Sequence, residues 1–213
     1  MIDAVPYPWP FDGSLPALAR MALVLVAPQR ANAWMDATGV VKEACGRLLS
    51  AAQRTGMPVI VTLHIRQECT PARLAVLTGS GSTKGALLGS FDLPKDVTFV
   101  EAPALDGFYA TGLDALLWQR RISYLVFAGF GTETMVHSTL RSANDRGFEC
   151  LVLEDACADG DPDLHAASMS SIMMSGGIFG AYTKTALFLD ALSTPISKGE
   201  AYDAKDGHGK DTS

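Results

Sequence analysis

The chain has 213 residues, 48% of them hydrophobic and 19% charged, and a formal net charge of −6. That length allows one large domain that buries about 70% of its unfolded surface. The acidic balance argues against nucleic acid, which asks for a basic surface, and no apolar run approaches the roughly 18 residues that cross a bilayer.

Residues 1–18 form a Pro- and aromatic-rich arm. Pro6, Pro8 and Pro10 exclude helix and favour an extended path across this domain or a neighbouring subunit. The start lacks the basic end and apolar core of a signal peptide, so a cytoplasmic protein is expected. Ala22 to Val26 reads as a buried strand. Val40, Val41, Ala44, Cys45, Leu48, Leu49 and Ala52 recur at helical spacing, with Gly56 as the stop. Pro58 to Ile65 is the second strand. Residues 66–95 are weakly patterned around a flexible Gly79 to Gly85 stretch, and a short strand follows at Val97 to Val100.

Thr111 is the expected N-cap of a helix carrying Leu113, Leu116 and Leu117. Ser123 to Ala128 is the next strand. Thr132 is placed to cap a helix running to Arg146, which Gly147 ends. Cys150 to Leu153 reads as a strand, Asp163 as the cap of a Met-rich helix to Met174, and Thr185 to Leu189 as the last strand. From Lys198 the chain is polar and Gly-rich, and a mobile tail is expected. Alternating strands and helices predict an α/β fold, a three-layer α-β-α sandwich on a mostly parallel sheet with right-handed crossovers. The arm (1–18), the domain (19–195) and the tail (196–213) divide the chain.

Ligands of an open parallel sheet bind beyond the carboxyl ends of its strands. Three segments end strands here: Val26-Ala27-Pro28-Gln29, Glu101-Ala102-Pro103 and Gly129 to Met135. The run Gly129-Phe130-Gly131-Thr132-Glu133-Thr134-Met135-Val136-His137-Ser138-Thr139 resembles the nucleophile region of the isochorismatase-like cysteine hydrolases. The subgroup hydrolysing biuret and related carbamoyl amides is similar in Tyr7-Pro8-Trp9-Pro10-Phe11-Asp12-Gly13, in Ala143-Asn144-Asp145-Arg146-Gly147 and in Gly176-Gly177-Ile178-Phe179-Gly180. The resemblance covers most of residues 5–192 and is weakest over 31–37 and 66–95.

It implies a Rossmann-like topology, a cysteine nucleophile, an aspartate base, a lysine that favours the thiolate, and an oxyanion turn with a cis peptide. In this chain Ala27 stands at the base position of the Val-Asp-x-Gln motif. Ala102 stands at the lysine position, ahead of the matching run Gly107-Phe108-Tyr109-Ala110-Thr111-Gly112-Leu113, and Met135 stands at the cysteine position. A thioether has no proton to lose and cannot serve as a thiolate. What the resemblance retains is a turn whose N–H groups point into the crevice. Gln29, Phe108, Tyr109, Phe130, Gly131 and Met135 are the residues expected to line a ligand there.

Substitute chemistry has three sources. Glu133 is either an acid or base raised in pKa by an apolar site or a first-turn carboxylate favoured by the helix dipole. Asp106 and Tyr109 either touch a ligand or serve as a turn aspartate and a packing tyrosine. Cys157 is either a replacement nucleophile or a small buried apolar residue. Cys45, Cys69, Cys150 and Cys157 lack CxxC spacing, so reduced thiols are expected. His64, His137, His165 and His208 are too dispersed for a metal triad, and the glycines of 79–85 lack the Gly-Lys-Ser/Thr ending of a phosphate loop. No metal or cofactor is expected. Met169, Met173 and Met174 suit core packing or a subunit interface.

The expectation is a protein silent as a cysteine amidohydrolase that binds a small ligand or serves as a partner subunit, either as a homo-oligomer or beside an active paralogue. The alternative is a repurposed hydrolase, lyase or isomerase acting on a small amide, imide or cyclic carbonyl compound.

Overall fold

The computed structural model describes residues 7–65 and 91–194. The Gly79 to Gly85 stretch, Cys69, His208 and the tail lie outside the described residues. Six strands form one parallel sheet: β1 (Met21–Val26), β2 (Val59–His64), β3 (Thr98–Ala102), β4 (Tyr124–Phe130), β5 (Glu149–Ala158) and β6 (Ala181–Thr183). Their order is β3-β2-β1-β4-β5-β6. The chain therefore builds outward from β1 on one side and then restarts with β4 on the other. In open parallel sheets such a reversal marks the carboxyl ends of the two strands, here β1 and β4, as the place where a ligand crevice forms.

β1, β2 and β4 are buried along their whole length, as strands covered on both faces must be. Successive side chains of β1 alternate between two cores. Ala22, Val24 and Val26 enter one, which α2 (Leu113–Gln119), α3 (His137–Asp145) and α4 (Pro162–Met173) cover with Leu117, Leu140 and Met169. Met21, Leu23 and Leu25 enter the other, under α1 (Val40–Thr55) and α5 (Thr185–Ser193). The arm completes this second face: Tyr7 and Phe11 are buried, and Tyr7 packs edge-on to Tyr124 at 5.4 Å. Its phenol is pushed upward in pKa, chiefly by burial.

α1 runs to Thr55, and Gly56 takes the left-handed conformation (φ 71°) that closes it. Gly46 interrupts its interior, at a cost of about 1 kcal/mol relative to alanine. Among the described residues no helix is long and apolar enough to cross a membrane.

Several expected element ends are corrected. Gly112, not Thr111, is the N-cap of α2, although the Thr111 hydroxyl still accepts from Leu113 N–H at 3.3 Å. Thr132 does not cap the next helix, because a π turn over Thr132–Val136 comes first and follows Gly131. Asp161, not Asp163, caps α4: its carboxylate accepts from Asp163 N–H at 2.9 Å, with Pro162 opening the helix. Thr185 to Leu189 is the start of α5 rather than a strand, and the sixth strand is Ala181–Thr183.

Candidate functional site

The carboxyl ends of β1, β3 and β4 place Ala27, Ala102 and Met135 on one edge of the sheet. All three are fully buried. Ala27 and Met135 share an apolar cluster with Phe130, Phe108 and Cys157.

Ala27 holds a left-handed backbone (φ 50°), rarely adopted by alanine. Its N–H donates to Thr62 O at 3.0 Å, and its carbonyl accepts from Gln29 N–H (2.7 Å) and Asn32 Nδ2 (3.0 Å). The Gln29 side chain is engaged within the protein. Its Nε2 donates to His64 O at 3.0 Å, and its Oε1 accepts from His64 N–H at 2.7 Å, tying the end of β1 to the end of β2.

β4 ends in two tight approaches. A β-carbon on Gly129 would lie 2.1 Å from Val26 O, so only glycine lets β4 pass this close to β1. A β-carbon on Gly131 would lie 2.6 Å from the Met135 terminal methyl and 2.6 Å from Thr134 Oγ1. The thioether chain thus folds back over its own turn and occupies the space above Gly131. The turn is trans; the cis peptide among the described residues is Trp9–Pro10.

The expectation that the turn offers its N–H groups to a ligand is corrected in part. Gly131 N–H donates to Ala158 O (2.8 Å), and Thr134 and Val136 N–H donate to Gly131 O (3.2 and 2.9 Å). Glu133 N–H donates to Asp159 Oδ2 at 3.0 Å. The chain's own acceptors fill these four donors.

The substitute groups are placed as follows. Glu133 is exposed rather than buried in an apolar site. Asp106 accepts from Phe108 N–H (2.8 Å) with one oxygen and from Ser142 Oγ (2.8 Å) with the other, which makes it a turn anchor. Phe108 is buried beside Phe148 and under Arg146, whereas Tyr109 is 61% exposed. Cys157 pairs with Gly129 in the sheet and is buried, and its thiol is pushed up to about 12, mainly by desolvation. Such a thiol is not a thiolate near neutral pH. Cys45, Cys150 and Cys157 are all free and buried.

His64 is wholly buried. Its Nδ1 bonds Ala104 O at 2.6 Å and its Nε2 lies 3.2 Å from Thr62 Oγ1. A carbonyl only accepts, so Nδ1 carries the proton and Nε2 accepts from the Thr62 hydroxyl. Burial lowers its pKa to about 4.

Four residues make contacts at this edge that the sequence does not predict. Thr132 Oγ1 lies 2.9 Å from His165 Nδ1 on α4. The His165 pKa is lowered, first by burial, against the upward pull of Glu154 and Asp159. Asp159 fills a turn donor, and the Trp34 ring packs against Gly160, where a β-carbon would collide with it. Trp34 therefore reaches from the loop after β1 to the loop after β5, across the end of β4. Only the Asp159-Gly160-Asp161-Pro162 sequence, dense in turn and cap residues, hinted at this. Among the described residues no group of His, Cys, Asp and Glu is arranged to hold a metal ion.

Comparison with known proteins agrees with this architecture. The chain is 34% identical over 120 residues to ureidoacrylate amidohydrolase RutB of Methylobacterium radiotolerans, a match spanning 56% of this chain and only 45% of that protein. The RutB of Methylorubrum extorquens is 30% identical over 191 residues, covering 75% of this chain and 73% of its own length. A cysteine hydrolase from Pseudomonas syringae pv. phaseolicola shares the fold with a TM-score of 0.71 at 20% identity, over 89% of this chain and 97% of the other. An isochorismatase domain is matched across residues 21–184. Together with the parallel sheet and the reversal of its strand order at β1–β4, that match makes the chain a member of the isochorismatase-like cysteine hydrolase superfamily.

Proposed function

We propose that this chain does not run a cysteine amidohydrolase reaction at the β1–β4 crevice and acts instead as a ligand-binding or partner subunit. One observation carries the reading. The positions that the family resemblance assigns to base, lysine and nucleophile, at the ends of β1, β3 and β4, hold Ala27, Ala102 and Met135, all buried. The Met135 methyl packs on Gly131, where a reacting carbonyl would need room. None of the three exchanges a proton or carries a charge, so base, cation and nucleophile are missing together. The protein's assembly, as a homo-oligomer or beside an active paralogue, belongs to the same proposal.

The activity of the ureidoacrylate amidohydrolase relatives supplies the substrate to try. Purified protein incubated with ureidoacrylate is expected to release no ammonia above the blank, in a coupled assay of ammonium. Met135→Cys alone is expected to stay silent, because neither Ala27 nor Ala102 replaces the base or the cation. Turnover by the unaltered chain would sink the proposal.

A hydrolase working through other groups is the second reading. The 2.9 Å hydroxyl–imidazole contact of Thr132 and His165 favours it, since a nucleophile within reach of a base is its signature. Thr132 is only 1% exposed, which weighs against attack from its hydroxyl. Turnover that disappears in His165→Gln would select this reading over the first.

A further inference from the structure

The outer face of α1 carries a glycine that the rest of the described chain does not explain. Gly46 lies in the middle of a 16-residue helix, where glycine weakens the structure. Its backbone is not left-handed, and a β-carbon built on it would meet no atom within 4 Å. Neither conformation nor packing among the described residues asks for glycine here.

Gly46 instead forms part of the floor of a cavity of about 650 Å³. That volume lies in the range of small-molecule sites, ~300–1,000 Å³. Lys42, Arg47 and Arg54 line it from α1, with Phe91 and Leu189 as apolar walls. Glu43 and Asp92 also border it, so the lining carries one net positive charge in a chain whose total is −6. Among the described residues, Lys42, Arg47 and Arg54 are not held in an ion pair of the kind that joins Lys184 to Glu154. Arg47 and Arg54 are two turns apart on one face of the helix, about 10 Å along its axis. Two long guanidinium side chains converge readily across that gap.

We propose that this groove binds an organic anion: a phosphate, sulfonate or carboxylate head held by Arg47 and Arg54, with an apolar body laid over Gly46 against Phe91 and Leu189. Guanidinium forks match such heads in a bidentate way. The missing side chain at position 46 gives the body its room. Lys42 stands at the other end of the groove and adds to the attraction without touching the same head. The site shares no residue with the β1–β4 crevice, so it stands or falls independently of the reading given for that crevice.

The test is calorimetric titration of the full chain with phenyl phosphate, inorganic phosphate and benzyl alcohol. Phenyl phosphate is expected to bind saturably. Either partial probe is expected to bind at least about tenfold more weakly, and the double variant Arg47→Gln/Arg54→Gln to lose at least that factor, since even one charged hydrogen bond is worth about as much. Gly46→Leu is expected to abolish binding while raising the melting temperature, because leucine is the better helix former. That pairing separates a blocked groove from a misfolded protein. The proposal is overturned by any of three results: no saturable binding of phenyl phosphate in the millimolar range, unchanged affinity in Gly46→Leu, or inorganic phosphate binding as tightly as phenyl phosphate.

Discussion

His64 is a titratable side chain used as a strut. Its neutral imidazole ties the end of β2 to the Ala104 loop, bonded by Thr62 and Ala104, while the His64 backbone exchanges two bonds with the Gln29 side chain at the end of β1. Burial lowers its folded pKa to about 4, whereas the unfolded chain takes up the proton near 6.5. Its contribution to stability is therefore full above about 6.5 and falls as the pH drops toward 4, because the unfolded state binds the proton first. The full shift corresponds to about 3 kcal/mol. Urea midpoints at pH 7 and pH 5 should separate in the unaltered chain, and the separation should shrink in His64→Gln; equal pH slopes would remove the argument. Residues of this kind are poorly legible in sequence. Ala27, Ala102 and Met135 stood out because each occupies a short motif with a known neighbour pattern. His64–Gln29 and Thr132–His165 are contacts across 35 and 33 positions, and spacing says nothing about them.

At the scale of elements, apolar runs placed the sheet and periodicity placed α1, but the last turn of the fold was misread. Ala186-Leu187-Phe188-Leu189 is a continuous apolar run, which short strands and buried helix segments share. Tertiary anchoring decides between them. Asp155 accepts from Thr185 N–H (2.6 Å) and from the Thr185 hydroxyl (2.8 Å), so a carboxylate 30 positions away opens α5. A distant cap of this kind leaves no local signature, unlike the Asp161-Pro162 start of α4. Removing it in Asp155→Ala should cost about 1 kcal/mol, within the usual 0.5–2 for a lost helix cap. Asp161→Ala should cost a similar amount and Asp163→Ala much less, since only the first of these two carboxylates holds a backbone N–H of α4. Urea denaturation at constant m-value reads all three, and an Asp163→Ala cost equal to that of Asp161→Ala would return the cap to the position read from sequence.

At the scale of the whole molecule, the layers were legible and their meeting point was not. Alternation along β1 predicts two covered faces, and motif ends predict which strands approach the crevice. How tightly it closes depends on Met135, Trp34 and Asp159, whose contacts cross between loops. A reactivity experiment tests whether those strand ends converge. Met135→Cys introduces a thiol at a fully buried position, and burial should hold it neutral, as it does Cys157. Its alkylation by iodoacetamide at pH 7.5, followed by peptide mass mapping, should be as slow as that of Cys157. The triple variant Ala27→Asp, Ala102→Lys, Met135→Cys should behave differently. Aspartate accepts the left-handed backbone of position 27 more readily than alanine does. A lysine in place of Ala102 overfills a packed site, at a cost of about 1–3 kcal/mol, and so loosens the crevice while bringing a cation toward the thiol. A nearby cation lowers a thiol pKa by more than one unit, which should raise alkylation at position 135 at least about tenfold over the single variant. Equal rates in the single and triple variants would mean that the ends of β1, β3 and β4 do not act on one point, and the assignment of Ala27, Ala102 and Met135 to the positions of one former catalytic centre would fall with them.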